Sequence, residues 1–373
     1  MPPRHLYVHV PFCSRRCAYC DFSIAVRART PVDEYLRGIR AELELRHGGA
    51  VGWTLDTVYF GGGTPSRLGA DGVRRLLDLV REHARVADDA EVTLEANPED
   101  VTVESVSAWR DAGVNRLSIG VQSFNDDVLR WMHRVHDAGA AERAIRSARQ
   151  GGISNFSVDL IFALPEMLRR EWPDDLARAI DLGPTHVSLY GLTVEPHTPL
   201  ARWRERGEVE ESPEERYEAE YLLADERLAA AGFEHYEVSN FGLPGRHARH
   251  NGAYWAGVAY AGIGPAAHEF DGVGRRRWNV SAYADWLRRL DDGTDPEGGH
   301  EQLDEENRIA ERVYLGLRTT AGLELMPGER DHVSRWVEVG WGQLSSDGRL
   351  VLTPAGWLRL DALARDLTSL RSR

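Results

Sequence analysis

Between residue 5 and about residue 232, short β-rich runs alternate with helix-length amphipathic stretches, and that alternation leaves the chain few folds to choose from. The β runs are Leu6–Pro11, Asp56–Phe60, Glu91–Glu95, Arg116–Val121, Asn155–Phe162 and His186–Leu192. Helical stretches such as Val73–Arg85 and Ala140–Gln150 lie between them. Strands joined through helices pair in parallel, so the rhythm predicts about six strand-helix units around a parallel α/β sheet. In such sheets ligands collect beyond the carboxyl ends of the strands, and the residues just after each β run are where chemistry is expected.

Those residues are distinctive at nearly every strand end. The first run leads into Cys13-Ser-Arg-Arg-Cys17-Ala-Tyr-Cys20, the second into Gly61-Gly62-Gly63-Thr64-Pro65, the third into Glu95-Ala-Asn97-Pro98 and the fourth into Gln122-Ser123. Asp159 lies within the fifth, ahead of Leu164-Pro165. A glycine run lets backbone amides approach a bound group, although a tight turn would read the same way. Glu95, Gln122 and Asp159 are ordinary polar strand residues when taken singly. Their convergence on one end of one sheet is what points to a site.

The chain has three cysteines and all belong to this one loop, so no fourth thiolate is available. Three thiolates at this spacing can each hold one iron of a cubane 4Fe-4S cluster, which leaves the fourth iron open to a ligand that is not protein. A structural zinc ion completed by His9 is the competing reading. Zinc sites usually pair two short ligand hairpins far apart in sequence, and here there is one. An odd number of thiols on adjacent turns also argues against a disulfide and for a reducing compartment.

Composition sets further bounds. No apolar run reaches the roughly eighteen residues of a membrane span, and no signal peptide precedes Leu6-Tyr7-Val8, so a cytoplasmic protein is expected. The formal net charge of −14, with basic residues scattered among acidic ones, disfavours nucleic acid as a partner. Every basic side chain other than histidine is arginine, a bias of composition and not a site. At 373 residues the chain exceeds one ordinary core, and a smaller unit appended to the first is expected.

One helix is clearly punctuated: Ser212 as N-cap, Pro213 at the first helical position, Glu215 closing a capping box and Gly232 ending the run. Its stripe of Tyr217, Tyr221, Ala224 and Leu228 reads as core. Beyond Gly232 the rhythm breaks into Tyr236-Glu-Val-Ser-Asn-Phe241 and His250-Asn251-Gly-Ala-Tyr254-Trp255. The acidic, glycine-rich stretch Asp291–His300 reads as a linker. After it come a helix near Asp304–Gly316, a short strand in Gly348–Leu352 and a last helix opened by Thr353-Pro354. The expected division is 1–232, 233–300 and 301–373.

Tyr7-Val-His-Val-Pro-Phe-Cys13, the cysteine triad, Tyr59-Phe-Gly-Gly-Gly-Thr-Pro65, Glu95-Ala-Asn-Pro98, Gly120-Val-Gln-Ser123 and Asp159-Leu-Ile161 together resemble radical S-adenosylmethionine proteins of the oxygen-independent coproporphyrinogen-oxidase-like group. The resemblance covers nearly the whole chain. It implies a partial (βα)6 TIM-type barrel of the radical SAM kind with a smaller C-terminal α+β, winged-helix-like module. It further implies a 4Fe-4S cluster on Cys13, Cys17 and Cys20, whose open iron takes the amino and carboxylate groups of S-adenosylmethionine. By the same resemblance Gly61, Gly62, Gly63 and Thr64 hold the methionyl end, Tyr7 lies beside the cluster, and Glu95, Gln122, Arg134 and Asp159 surround the nucleoside.

Two departures separate the chain from the oxidases of that group. They carry a further cysteine where Phe22 stands, and an N-terminal extension that is missing here. Both imply the heme-chaperone branch, as does the match of His250, Asn251, Tyr254 and Trp255 to that branch's His-Asn-x-x-Tyr-Trp signature. Imidazole is a common axial ligand of heme iron, and Tyr and Trp offer flat apolar area to a porphyrin. Read without the resemblance, the hexapeptide is a helix start with two core aromatics and a surface histidine. Ala163-Leu164-Pro165-Glu166-Met167-Leu168 also departs from the family's Gly-Leu-Pro-Gly-Gln-Thr and adds bulk and a carboxylate near the expected nucleoside pocket.

The function implied is heme uptake and delivery to apo-hemoproteins such as respiratory cytochromes, without coproporphyrinogen oxidase activity. An electron donor for the cluster is expected, and a homodimer is compatible with the sequence. The alternatives are an oxygen-independent coproporphyrinogen III oxidase or a related porphyrin-modifying enzyme.

Overall fold

The computed structural model describes residues 2–48 and 52–372. Six strands alternate with six helices in chain order: β1 His5–Val10, α1 Val32–His47, β2 Thr54–Gly62, α2 Gly69–His83, β3 Arg85–Ala96, α3 Val103–Ala112, β4 Arg116–Gln122, α4 Ala138–Gln150, β5 Phe156–Phe162, α5 Trp172–Asp181, β6 His186–Gly191 and α6 Glu214–Ala230. The six strands pair side by side in that order, all parallel. This is the expected partial barrel.

Along each strand, alternate residues point to opposite faces. One face is apolar: Leu6, Val8 and Val10, Val58 and Phe60, Leu117 and Ile119, Val158 and Leu160, and Val187 and Leu189 join the helices in one buried core. The other face carries Tyr7 and His9, Thr57 and Tyr59, Glu91, Thr93 and Glu95, Arg116 and Ser118, Ser157 and Asp159, and His186 and Ser188. A structural barrel fills its interior with branched apolar side chains. Here the interior is polar, so it is built as a site.

Three further strands widen the sheet to nine: β7 Glu234–Glu237, β8 Asn240–Gly242 and β9 Ala261–Ile263. β9 pairs parallel to β1, whereas β8 pairs antiparallel to β6 and carries β7 on its outer edge. Between β8 and β9 runs a short helix, α7 Arg249–Trp255.

The Asp291–His300 stretch is not a linker. Its last four residues open β12 Glu297–Gln302, which pairs with β11 Arg275–Asn279 and, through it, β10 His268–Phe270. Its glycines serve close packing: a Cβ on Gly299 would meet the Trp278 ring at 2.7 Å, and one on Gly298 would meet the Val280 amide at 2.8 Å. The region is tied to the barrel through Glu42 of α1, a fully buried carboxylate. It pairs with Arg46 at 2.9 Å and accepts from the Gly264 amide, Asn279 Nδ2 and the Trp286 indole at 2.6–2.9 Å.

The punctuation of α6 also differs. Pro213, not Ser212, occupies the cap, no side-chain capping bond forms, and Ser212 Oγ is buried without a hydrogen-bond partner. Proline holds φ near the helical value, so the helix starts directly after it. Tyr221, Ala224 and Leu228 are buried as expected, while Tyr217 is partly exposed against Phe162.

The C-terminal segment has a core of its own, including Val313, Leu317, Val333, Trp336, Leu352, Trp357 and Leu367. It is formed by α9 Glu305–Arg318, α10 Glu329–Glu338, a hairpin of β13 Gly342–Leu344 with β14 Leu350–Leu352, and α11 Leu360–Arg371, α8 being Tyr283–Asp291. No described helix is long and apolar enough to cross a membrane.

Candidate functional site

The carboxyl ends of the barrel strands enclose a cavity of about 410 Å³, within the size range of small-ligand sites. Cys13, Cys17, Cys20, Gly62, Gly63, Thr64, Glu95, Gln122, Arg134 and Asp159 all line it, together with Asn97, which the sequence named only as part of a motif. Residues far apart in the chain thus meet because six parallel strands end at one place.

The cysteine loop is held at the cavity's end by a short strand pair, Phe12–Cys13 with Ala25–Val26. All three thiols are free and partly exposed. Cys13 Sγ is 3.4 Å from Thr64 Oγ1, and Arg134 Nη1 is 3.5 Å from Cys17 Sγ, a cation placed where a thiolate would form. Burial pushes the Cys13 thiol up and the Cys20 thiol up to about 11, so a metal taken up here must displace protons.

The donor set fits a cubane: three thiols on one loop line one cavity, and one corner would remain without a protein thiolate. His9 does not complete a zinc site. Its Nε2 lies 3.1 Å from the Ser23 carbonyl and donates to it, while Nδ1 accepts from the Tyr7 hydroxyl at 3.0 Å.

The glycine turn is explained by its neighbours. Gly62 has φ 111°, and a Cβ there would strike the His9 ring at 2.6 Å. A Cβ on Gly63 would meet the Pro11 backbone at 2.6 Å. Gly61 and Tyr7 stand one layer behind the cavity: the Tyr7 and Tyr59 rings fill the space beside Gly61. The amide of Gly62 donates to Glu95 Oε2 at 3.0 Å, and the Tyr59 hydroxyl donates to Glu95 Oε1 at 2.8 Å.

Glu95 is pushed up to about 7, chiefly by burial, with the Tyr59 hydroxyl opposing and the nearby Asp159 charge adding to the rise. Asp159 is also raised by burial, although Ser118 and Ser157 hydroxyls donate to it at 2.9–3.1 Å. Two carboxylates facing one cavity suit a ligand rich in hydroxyl donors. Arg134 is fixed by Asn97 Oδ1 and the Gly120 carbonyl, both at 2.7 Å. Gln122 follows a register shift in β4 and adopts φ 70°, which turns the chain at the strand end.

Ala163 has φ 55°, a left-handed conformation in which glycine is unstrained, and its amide donates to Glu220 at 2.7 Å. None of residues 163–168 lines the cavity, so the expected intrusion of Glu166 is not seen.

The structure does not bring His250, Asn251, Tyr254 and Trp255 to this cavity. They lie on α7, which closes the opposite, amino-terminal end of the barrel. His250 is 1% exposed; its Nδ1 is bonded to Thr57 Oγ1 at 2.7 Å and its Nε2 to the Tyr254 hydroxyl at 2.8 Å. Burial takes its pKa down to about 3, so it is neutral. Glu91 accepts from the amides of Arg249 and His250, both at 3.0 Å. The Trp255 ring receives the Arg318 guanidinium of α9 at 4.0 Å. As placed, the imidazole has no free nitrogen for iron, which corrects its expected heme-ligand role. The motif follows the plainer reading of a helix start with packed aromatics, except that its histidine is buried.

Residues 7–216 match the family model described as the radical SAM superfamily. The chain is 42% identical to the heme chaperone HemW of Mycobacterium tuberculosis, covering 98% of this chain and 95% of that protein. It is 34% identical to HemW of Bacillus subtilis, covering 85% and 84%. Among solved structures it resembles coproporphyrinogen III oxidase (HemN) from Escherichia coli, described as a radical SAM enzyme, with a TM-score of 0.80 at 23% identity over 98% of this chain and 90% of that one. At that identity the likeness is one of fold.

Proposed function

This chain belongs to the radical SAM superfamily and, within it, to the HemW heme chaperones, and on that premise we propose that it takes up heme and passes it to apo-hemoproteins such as respiratory cytochromes. The near full-length similarity to HemW proteins carries the reading. Phe22 supports it against an oxidase, because the coproporphyrinogen oxidases that the chain resembles hold a further cysteine at that place.

In this reading Cys13, Cys17 and Cys20 would hold a 4Fe-4S cluster. Gly62, Gly63 and Thr64 would receive the methionyl end of S-adenosylmethionine, and Glu95, Gln122, Arg134 and Asp159 its nucleoside, with Tyr7 and Gly61 shaping the wall behind. Bound there, the reduced cluster would supply an electron toward the sulfonium of S-adenosylmethionine. The chain's own contribution is to present two carboxylates to hydroxyl groups and a guanidinium beside the thiolates. An electron donor is the second partner this requires. Free thiols persist in a reducing compartment, and we place the protein in the cytoplasm on that ground.

The test is heme transfer. Cluster-loaded protein incubated anaerobically with heme should develop a Soret band and then lose it to an added apo-cytochrome. Absence of heme uptake, or conversion of coproporphyrinogen to protoporphyrinogen with reductant and S-adenosylmethionine, would reject the reading.

A further inference from the structure

We propose that heme seats over the mouth of the cluster cavity with His133 as its protein ligand, an inference that rests on the heme-chaperone reading above. Heme presents three chemical demands: a flat apolar face, a nitrogen donor for iron, and cations for its propionates. The cavity mouth meets each of them.

The apolar face comes first. Phe22 and Val135 line the cavity yet are 59% and 52% exposed, with Ile24 and Leu192 among the other lining residues. Large apolar side chains clustered in water around a polar pocket mark a binding surface. Glu95, Gln122 and Asp159 line the same cavity, so an apolar ligand seated on Phe22 and Val135 would meet a polar one bound among those side chains.

The nitrogen donor is His133, the only one of the chain's fourteen histidines that lines the cavity. Among the described residues neither of its ring nitrogens has a hydrogen-bond partner within the protein, in contrast to His9, His136 and His250. Its ring stands edge-on to Trp203 at 5.5 Å, and Trp203 packs on Trp131 at 5.6 Å, so the imidazole is oriented by aromatic contact while both nitrogens stay free.

The backbone gives an independent argument. His133 follows the short helix Asp126–Trp131 and adopts φ 61°, with its amide bonded to the Arg130 carbonyl and that of Arg134 to the Leu129 carbonyl. This is the helix-ending position at which glycine is unstrained. Keeping an imidazole there costs about 1 kcal/mol, a strain that a functional side chain can justify.

Arg15 supplies the cation. It lines the same cavity, donates to the Arg134 carbonyl, and has no carboxylate partner within 4.0 Å among the described residues. Guanidinium is suited to a propionate. Asp21 and Glu195 also line the wall, so the propionates are expected on the Arg15 side and away from those carboxylates.

His133→Gly tests this without endangering the fold, since glycine relaxes the strained turn. Cluster-loaded protein is titrated anaerobically with ferric heme, following the Soret band and the low-temperature EPR spectrum. The wild type should give an imidazole-ligated signature. His133→Gly should lose it and bind at least about tenfold more weakly, added imidazole should restore the signature, and His250→Ala should retain it. Heme uptake with unchanged spectrum and affinity in His133→Gly would overturn the inference while leaving the chaperone reading intact. No uptake by the wild type would instead remove the reading itself.

Discussion

Several side chains are understood only through what lies next to them. Ala163 illustrates this. In the sequence its methyl group reads as added bulk near a pocket, yet the residue does not line the cavity and instead occupies a left-handed backbone position whose amide is committed to Glu220. Relieving the strain outweighs the extra freedom that glycine gives the unfolded chain. Ala163→Gly should therefore raise stability by about 1 kcal/mol, read as a shift in chemical-denaturation midpoint with unchanged slope. An unchanged or lower midpoint would show that the turn is not strained. Glu95 and Gln122 were legible from sequence because each sits at a strand end and Asp159 because it lies within a strand of the same sheet, whereas Arg134, which follows the helix Asp126–Trp131, came only from the family resemblance. Asn97 appeared only within a motif, and nothing in a one-dimensional pattern reveals that its Oδ1 positions Arg134. His133 gave no signal at all, since a single histidine after a helix has no spacing to mark it.

At the scale of elements, the six strands were readable because β-branched and aromatic runs alternate with amphipathic helices, and five of them begin within two residues of the expected start, whereas β3 begins at Arg85 and not at Glu91, because its first residues are polar and acidic. What the pattern hid was the use of the region after residue 232. β8 and β9 are three residues each, too short for periodicity to register, and β12 is disguised by Gly298 and Gly299, whose missing side chains make room for neighbours. The α7 motif shows the same limit. Its residues suggest a ligand site, whereas Glu91, Thr57 and Tyr254 bind His250 into the barrel floor, and Trp255 joins that floor to α9 through Arg318. His250→Ala should then cost about 2 kcal/mol of stability, because Thr57 and Tyr254 lose a buried partner. Iron and sulfide loading should stay at the wild-type level. Wild-type stability in that variant would show that the imidazole is not a structural element.

Over the whole molecule, polarity is arranged in layers. Helices cover the apolar outer face of the sheet, the inner face is polar from floor to cavity, and α7 seals the end opposite the cysteines. The floor and the mouth are thus given different work. Thr57, Glu91 and His250 are bonded to one another and inaccessible, while the three thiols, Phe22, His133 and Val135 face the cavity. The C-terminal helices and hairpin, from α9 onward, have a core of their own and meet the rest of the chain through contacts that include the Arg318–Glu237 pair at 2.9 Å, Arg318 on the Trp255 ring, and Trp357 against His235.

The central claim is a cluster with one corner left for an exchangeable ligand, and one experiment addresses it directly. Protein reconstituted anaerobically with iron and sulfide, reduced, and examined by EPR with and without S-adenosylmethionine should contain iron and sulfide in equal amounts and give a cluster signal that changes when S-adenosylmethionine is added. Zinc without sulfide, or a cluster signal indifferent to S-adenosylmethionine, would contradict it.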